Sequence, residues 1–339
     1  MNLLVTGAAG FIGSNFVRHW VTTRPDDTVV AVDLLTYAGT RASLADLEGR
    51  HVFVEGDIGD TELMAATLAA HEVSVIVNFA AESHNSLAIV DPGRFFRTNV
   101  LGTQGLLEAA RQIGVTRFHH VSTCEVYGDL PLEGDPLTDG TAFTEESPYR
   151  PRTPYNASKA GADHAVRAYS ETFDLPITIT NCANNYGPYQ FPEKVVPLFT
   201  TNALDGKSLP LYTSSRNQRE WIHVLDHCRA IEVVLDRGRT GATYHVGTGY
   251  ERTVEEIADA VLDAVGAPRS LKETVPDRPG HDRRYVLDSR LIADELGWEP
   301  TIGFEQGLAE TVAWYTENRD WWEPLRDRAP VFEGTAWSR

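Results

Sequence analysis

Met1-Asn2-Leu3-Leu4-Val5-Thr6-Gly7-Ala8-Ala9-Gly10-Phe11-Ile12-Gly13 opens the chain with an apolar run, three glycines spaced three apart, and the start of an amphipathic stretch. Residues 3–6 have the composition of a buried strand, and Ile12, Phe16, Val17, Trp20 and Val21 fall on one face of a helix. In a strand–turn–helix setting the glycines have separate tasks. Gly7 permits the tight turn, Gly10 lets backbone approach a pyrophosphate, and Gly13 lets helix and sheet pack closely. The helix would aim its unpaired N–H groups and positive dipole end at the phosphates. Phe11 and Ile12 belong to the same cofactor-binding turn, so a dinucleotide site is expected.

Working outward, short runs rich in β-branched residues recur at 3–6, 28–32, 51–54, 73–79, 118–122 and 177–180, separated by amphipathic stretches. This alternation predicts βαβ units and an α/β fold with a Rossmann-type, doubly wound parallel sheet. Asp33 closes the second run, where a carboxylate can accept both ribose hydroxyls and would repel a 2′-phosphate, which favours NAD over NADP. Asp57 and Ile58 follow the third run and Ala80 the fourth; all three are expected at the cofactor.

Beyond residue 180 the character changes. Residues 181–192 are rich in Asn, Tyr, Gly and Pro and read as loop. Helical patterns return at 254–265 and 304–315, with a strand-like run at 243–246. The reading is an NAD-binding domain over 1–180 and a smaller mixed α/β substrate domain over 181–330, their boundaries interleaved. The tail after Trp322, with Pro324, Pro330 and Gly334, is expected to lie across the surface.

The 339 residues are 42% hydrophobic, enough for a sizeable core, and the formal charge of −18 argues against a nucleic-acid surface. Cys124, Cys182 and Cys228 have neither zinc nor disulfide spacing, which points to a reducing cytoplasm. The sequence shows neither a leader nor an apolar run of about 18 residues. His223 and His227 are four apart but lack an apparent third ligand, and His119-His120 reads as structural, so no metal is expected.

The second informative stretch is Ser122-Thr123-Cys124-Glu125-Val126-Tyr127-Gly128, followed by Tyr155-Asn156-Ala157-Ser158-Lys159. Tyr155 and Lys159 share one helix face, where an ammonium beside a phenol pulls a pKa of about 10 toward neutrality. Such a Tyr can take a proton from a sugar hydroxyl while a nicotinamide takes the hydride, and Thr123 can hydrogen-bond the same oxygen.

With the glycine motif, these residues resemble the extended short-chain dehydrogenase/reductases. The runs 33–39, 80–84, 126–130, 184–189, 191–194 and 278–285 are similar to the dTDP-glucose 4,6-dehydratase family. That resemblance implies a lyase in which tightly held NAD oxidises a hexose at C4, water is lost across C5–C6, and the hydride returns to C6. It implies Tyr155 as the C4 base, Lys159 as its tuner, Thr123 as the contact to the C4 oxygen and Glu125 as the C5 base. It further implies that Arg219, Asn184 and Arg278 grip the diphosphate, that Glu193 and Lys194 lie near base and sugar, and that Ser83 and Asn85 line the sugar site. Thymidine is favoured over uridine, so a dTDP- or UDP-hexose is the expected partner, and a homodimer through 102–113 and 157–169.

Three positions depart from the family pattern. Cys124 stands where the family has the Asp that protonates the departing C6 hydroxyl; a thiol can deliver a proton less readily, or fill space as a small packing residue. Asn85 replaces a Val that touches the sugar, and Asn156 a Ser beside the catalytic Tyr. The alternatives carried are return of the hydride to C4 giving a 5,6-unsaturated sugar, 4-epimerisation or decarboxylation, and, in another class, a low-turnover nucleotide-sugar-binding protein.

Overall fold

The computed structural model describes residues 1–214, 216–277 and 279–328. Twelve strands are described: Asn2–Thr6 (β1), Thr28–Asp33 (β2), Val52–Glu55 (β3), Val75–Asn78 (β4), Arg117–Thr123 (β5), Ile177–Cys182 (β6), Asn184–Tyr186 (β7), Leu209–Tyr212 (β8), Gln218–His223 (β9), Thr243–Val246 (β10), Glu251–Thr253 (β11) and Lys272–Val275 (β12). Seven form one sheet in the order β10-β6-β5-β4-β1-β2-β3, and every pairing in it is parallel. The order reverses between β1 and β4, and that switch point opens a crevice at the carboxyl ends of the strands.

Side-chain alternation along these strands explains the two-sided burial. Leu3, Val5, Val29, Ala31, Val75 and Val77 pack on one face with Phe16, Val17 and Trp20 of the helix Phe11–Thr23. Leu4, Val30, Val32, Ile76, Phe118 and Ile177 pack on the other with Leu106, Leu107 and Val166 of the helices Thr103–Ile113 and Pro154–Phe173. A parallel sheet covered on both faces has near-continuous apolar strands, which is why the runs were legible without strict alternation in the sequence.

The smaller lobe contains the mixed sheet β11-β9-β7 and the parallel pair β12-β8, with a core built from Phe199, Leu209, Trp221, Ile257, Val261 and Leu308. Its helix Val254–Val265 starts at a capping box between Thr253 and Glu256 and ends at Gly266 in the left-handed region.

Three expectations change. Residues 181–192, read as loop, contain the end of β6 and all of β7, whose partner β9 lies more than thirty residues away and leaves no local signal. The strand-like 243–246 run, read among the later elements, is β10 at the edge of the large sheet. The tail after Trp322, expected to lie across the surface, begins inside a helix, Arg319–Arg326, in which Pro324 is exposed but Leu325 is buried; Trp322 itself is fully buried, with its indole N–H donating to the Tyr315 carbonyl at 2.7 Å. Pro330 and Gly334 fall outside the described residues, as does Arg278.

One buried carboxylate ties the lobes' connections together. Glu220 on β9 accepts the backbone N–H groups of Thr248 and Gly249, both at 2.7 Å, and of Leu287 at 3.0 Å. Glu220→Ala would strand these donors. A loss of about 3 kcal/mol is expected from leaving buried N–H groups unpaired, read as an earlier denaturant midpoint by circular dichroism.

Candidate active site

One cavity of about 780 Å³ runs from the β1–helix turn across the carboxyl end of the sheet to the smaller lobe. At its cofactor end Gly7 takes a positive φ of 62°, and a Cβ there would lie 2.8 Å from the Ala80 nitrogen. A Cβ on Gly13 would stand 2.2 Å from the Gly7 carbonyl oxygen, so the helix sits directly on the turn. Among the described residues no side chain caps the helix that begins at Phe11, and its first turn carries no acidic group. The first-turn N–H groups therefore point toward the cavity unclaimed by side chains, which fits a pyrophosphate.

Asp33 lines the cavity with its carboxylate fixed by the N–H groups of Ala9, at 2.9 Å, and Leu35, at 2.8 Å. Burial raises its pKa while those bonds oppose the rise. The oxygens keep lone pairs for ribose hydroxyls. Phe11, Ile12, Asp57, Ile58 and Ala80 also line the cavity. The residues present fit an adenine dinucleotide.

At the other end Thr123 closes β5, and its Oγ1 accepts the Glu125 N–H at 3.2 Å. The helix Pro154–Phe173 starts with Thr153 accepting from the Asn156 N–H and Pro154 in the first turn, which sets Tyr155 and Lys159 on its buried face. Thr123, Glu125, Tyr155 and Lys159 all line the cavity. Lys159 Nζ donates to the Val121 carbonyl at 2.8 Å and lies 3.4 Å from His120 Nε2. Asp163, one turn further, is 3.3 Å from the same His120 nitrogen and accepts from Ser122 and Tyr149, each at 2.8 Å. His119 by contrast is held between Thr178 and Thr180 inside the sheet. The pair read together in the sequence thus divides into one packing histidine and one that touches the site's lysine.

The electrostatics differ from the expectation for the phenol. Burial, then the Glu125 charge, hold Tyr155 well above the ordinary phenol value, with the Thr123 hydroxyl opposing. Burial lowers Lys159, opposed by Asp163. In this state the ammonium is engaged with backbone rather than drawing the phenol toward neutrality.

The expected substrate residues converge in part. Ser83, Asn85, Asn184, Glu193, Lys194 and Arg219 line the cavity. The Ser83 carbonyl accepts from Lys194 at 2.9 Å, Glu193 accepts from Tyr37 at 2.7 Å, and Asn184 accepts from the Tyr285 hydroxyl at 2.9 Å. Arg219 is pinned by the carbonyls of Gln218 and Asp282 at 2.7 and 2.6 Å and lies over the Tyr285 ring at 4.7 Å. Asn85 donates to a Glu125 oxygen at 3.5 Å.

Cys124 has no exposed surface and is absent from the cavity lining. Its side chain belongs to a buried cluster with Val126, Tyr127, Ala160, Tyr285 and Leu287, and burial, then Glu125, push the thiol well up while a hydrogen bond with the Thr123 side chain opposes. Asn156, also fully buried, donates to Asp282 at 3.2 Å. Tyr37, Asp282 and Tyr285 line the cavity although the sequence reading gave them no role. Two of them lie in the run 278–285, but what each faces is set by residues more than sixty positions away.

Gly13→Ala should force the helix off the turn. Binding of the reduced dinucleotide, followed by its fluorescence, is expected to weaken at least about tenfold, or about 1.4 kcal/mol, with helix content unchanged.

Residues 4–311 match the family model described as GDP-mannose 4,6 dehydratase. The chain is 49% identical over 333 residues to a dTDP-glucose 4,6-dehydratase of Streptomyces niveus, covering 96% of each chain. It is 46% identical to dTDP-glucose 4,6-dehydratase 1 of Escherichia coli K12, covering 97% of this chain and 96% of that one. Among solved structures it resembles DesIV, a dTDP-glucose 4,6-dehydratase from Streptomyces venezuelae crystallised with NAD, at 52% identity and a TM-score of 0.90 over 96% of this chain and all of that one. UDP-glucose 4-epimerase of Thermotoga maritima superposes with a TM-score of 0.86 at 28% identity, over 94% of this chain and all of that one. With identity near one half sustained along almost the whole length, the chain belongs to the dTDP-glucose 4,6-dehydratase family of the extended short-chain dehydrogenase/reductases.

Proposed function

We propose that this protein is an NAD-dependent nucleotide-diphosphate-sugar 4,6-dehydratase whose substrate is dTDP-glucose. The carrying observation is that a single cavity joins the glycine turn and Asp33 to Thr123, Glu125, Tyr155 and Lys159. NAD, held by the glycine turn and Asp33, would supply the two-electron acceptor that is regenerated by the end of the cycle.

The protein's own groups do the proton work. Tyr155 removes the proton of the C4 hydroxyl, and Thr123 holds that oxygen by a hydrogen bond. Burial and the Glu125 charge oppose the phenolate that this step needs, and the Thr123 hydroxyl favours it. Lys159, fixed by the Val121 carbonyl, keeps a cation beneath the site. The resulting C4 ketone acidifies the C5 proton, which Glu125 takes. Asn85 donates to the Glu125 carboxylate and so orients the base. Arg219, pinned by carbonyls, presents its guanidinium to the diphosphate. Tyr37, bonded to Glu193, forms a wall toward the nucleoside.

The exposed side chains of Leu101, Ile113 and Phe173, on or beside the helices Thr103–Ile113 and Pro154–Phe173, support a homodimer through these helices. The described residues contain no helix long and apolar enough to cross a membrane, and a cytoplasmic location suits the free cysteines.

Incubation with dTDP-glucose carrying deuterium at C4 is expected to give a product lighter by one water with the label at C6. Label retained at C4 of an unsaturated product, or unchanged mass with inversion at C4, would each overturn the reading. Tyr155→Phe is expected to lower turnover about 10²–10⁴-fold while NAD still binds, measured by product mass and dinucleotide retention. Light scattering is expected to give twice the chain mass.

A further inference from the structure

Eliminating water across C5–C6 requires a proton donor as well as a base, because hydroxide is a poor leaving group near neutral pH. On the dehydratase reading above, Glu125 is committed to the C5 proton. The family pattern would place the donor at position 124, yet Cys124 is fully buried, is absent from the cavity lining, and has its thiol pushed well up by burial and by Glu125, with the Thr123 hydroxyl opposing. The site would then lack an acid unless another group supplies one.

Of the other carboxyls that line the cavity (Asp33, Asp57, Glu82, Glu193 and Asp282), Asp282 is the one that interacts with Glu125. Asp282 is buried, faces the same space as Glu125, Asn85 and Tyr155, and is electrostatically coupled to Glu125. C5 and C6 are bonded neighbours, so donor and base must face one space, and Asp282 and Glu125 line the same cavity. The side chain is held in place by the chain's own departure from the family pattern: Asn156 Nδ2 donates to Asp282 Oδ2 at 3.2 Å. The other oxygen, Oδ1, has no hydrogen-bond partner among the described residues and lies 3.4 Å from Arg152 Nη1. Arg152 is shared with Asp129 at 2.9 Å, which divides its charge between two carboxyls. Two of the three departures thus meet the two carboxyls of the sugar site, Asn85 at Glu125 and Asn156 at Asp282.

We infer that Asp282 is the general acid of the elimination, donating its proton to the departing C6 hydroxyl, and that Asn156 positions it. The C5–H proton passes to Glu125 and the electron pair of that bond becomes the C5–C6 double bond. The C6–O bond breaks with its electrons on oxygen, which takes the Asp282 proton and leaves as water, so the step consumes neither oxidant nor reductant. The groups around Asp282 suit a donor. Burial, then Glu125, raises its pKa to about 7, with Asp129 adding to the rise and Arg219 and Arg152 opposing it. Tyr285 and His281 complete the titratable surroundings within the cavity wall. An appreciable fraction is therefore protonated near neutrality, and the donor is lost as pH rises through about 7.

The test separates sugar oxidation from water loss in the full-length enzyme with NAD. In single turnovers, Asp282→Asn is expected to reduce the nicotinamide within a few-fold of the unsubstituted rate, while water loss slows about 10²–10⁴-fold. With dTDP-6-deoxy-6-fluoroglucose, whose fluoride leaves without a proton, the same variant is expected to release fluoride at close to the unsubstituted rate. The fall in water loss above about pH 7 should be absent for fluoride release. A merely structural role would slow both leaving groups alike, and that result overturns the assignment, as does water loss by Asp282→Asn at the unsubstituted rate. Should Asp282→Asn fail to fold, Cys124→Ala decides: it is expected to keep water loss within about tenfold, whereas a loss of about a hundredfold or more with oxidation intact would give the proton to the thiol. If the unsubstituted enzyme oxidises the sugar without losing water, the dehydratase reading itself falls, and the assignment with it.

Discussion

The structure depends on a close approach of backbone to backbone at the end of β1. The helix Phe11–Thr23 rests on the turn that feeds it, near enough that a single methyl group at residue 13 would overlap the Gly7 carbonyl. That contact sets the helix angle against the sheet, directs its first N–H groups into the crevice between β1 and β4, and brings Ala80 to the wall of the same cavity. The two apolar layers follow from it, because the helix presents Phe16, Val17 and Trp20 to one face while the opposite face is filled from Thr103–Ile113 and Pro154–Phe173.

The chemistry is laid over that frame by β5 and the helix after it. Thr123 ends the strand, Glu125 follows in the short turn, and Tyr155 and Lys159 come from the first turn and a half of a well-capped helix. The buried Asp163, with His120, Ser122 and Tyr149 around it, locks strand to helix beneath the lysine. Although burial works against it, these partners hold the Asp163 carboxylate below its ordinary range, so it stays charged under the ammonium. The charge pattern at this end of the cavity is therefore built in part from behind, by Asp163, His120 and Tyr149, which are absent from its lining.

Much of this was legible along the chain. The glycine turn, the acidic end of β2, and the Tyr–Lys pair are local patterns, since each function needs residues a few positions apart on one element. The parallel strands could be read because burial on both faces makes them continuously apolar. Strand β7 and the edge position of β10 were not legible, because each depends on a partner distant in sequence. The environment of Cys124 belongs with these: its neighbours Tyr285 and Leu287 arrive from the far end of the chain, and they turn a residue beside two site residues away from the cavity.

The sequence by itself determined the doubly wound sheet, the dinucleotide turn and the helix face that carries the phenol and the ammonium, because those are set by periodicity and by residue types at short spacing. Only the tertiary structure decided which carboxyls share the cavity, that Arg219 is held by the 282–283 carbonyls, and that residue 124 packs rather than lines. Burial and proximity between segments more than sixty residues apart fix those outcomes, and they move acid strengths by amounts that residue identity alone does not specify.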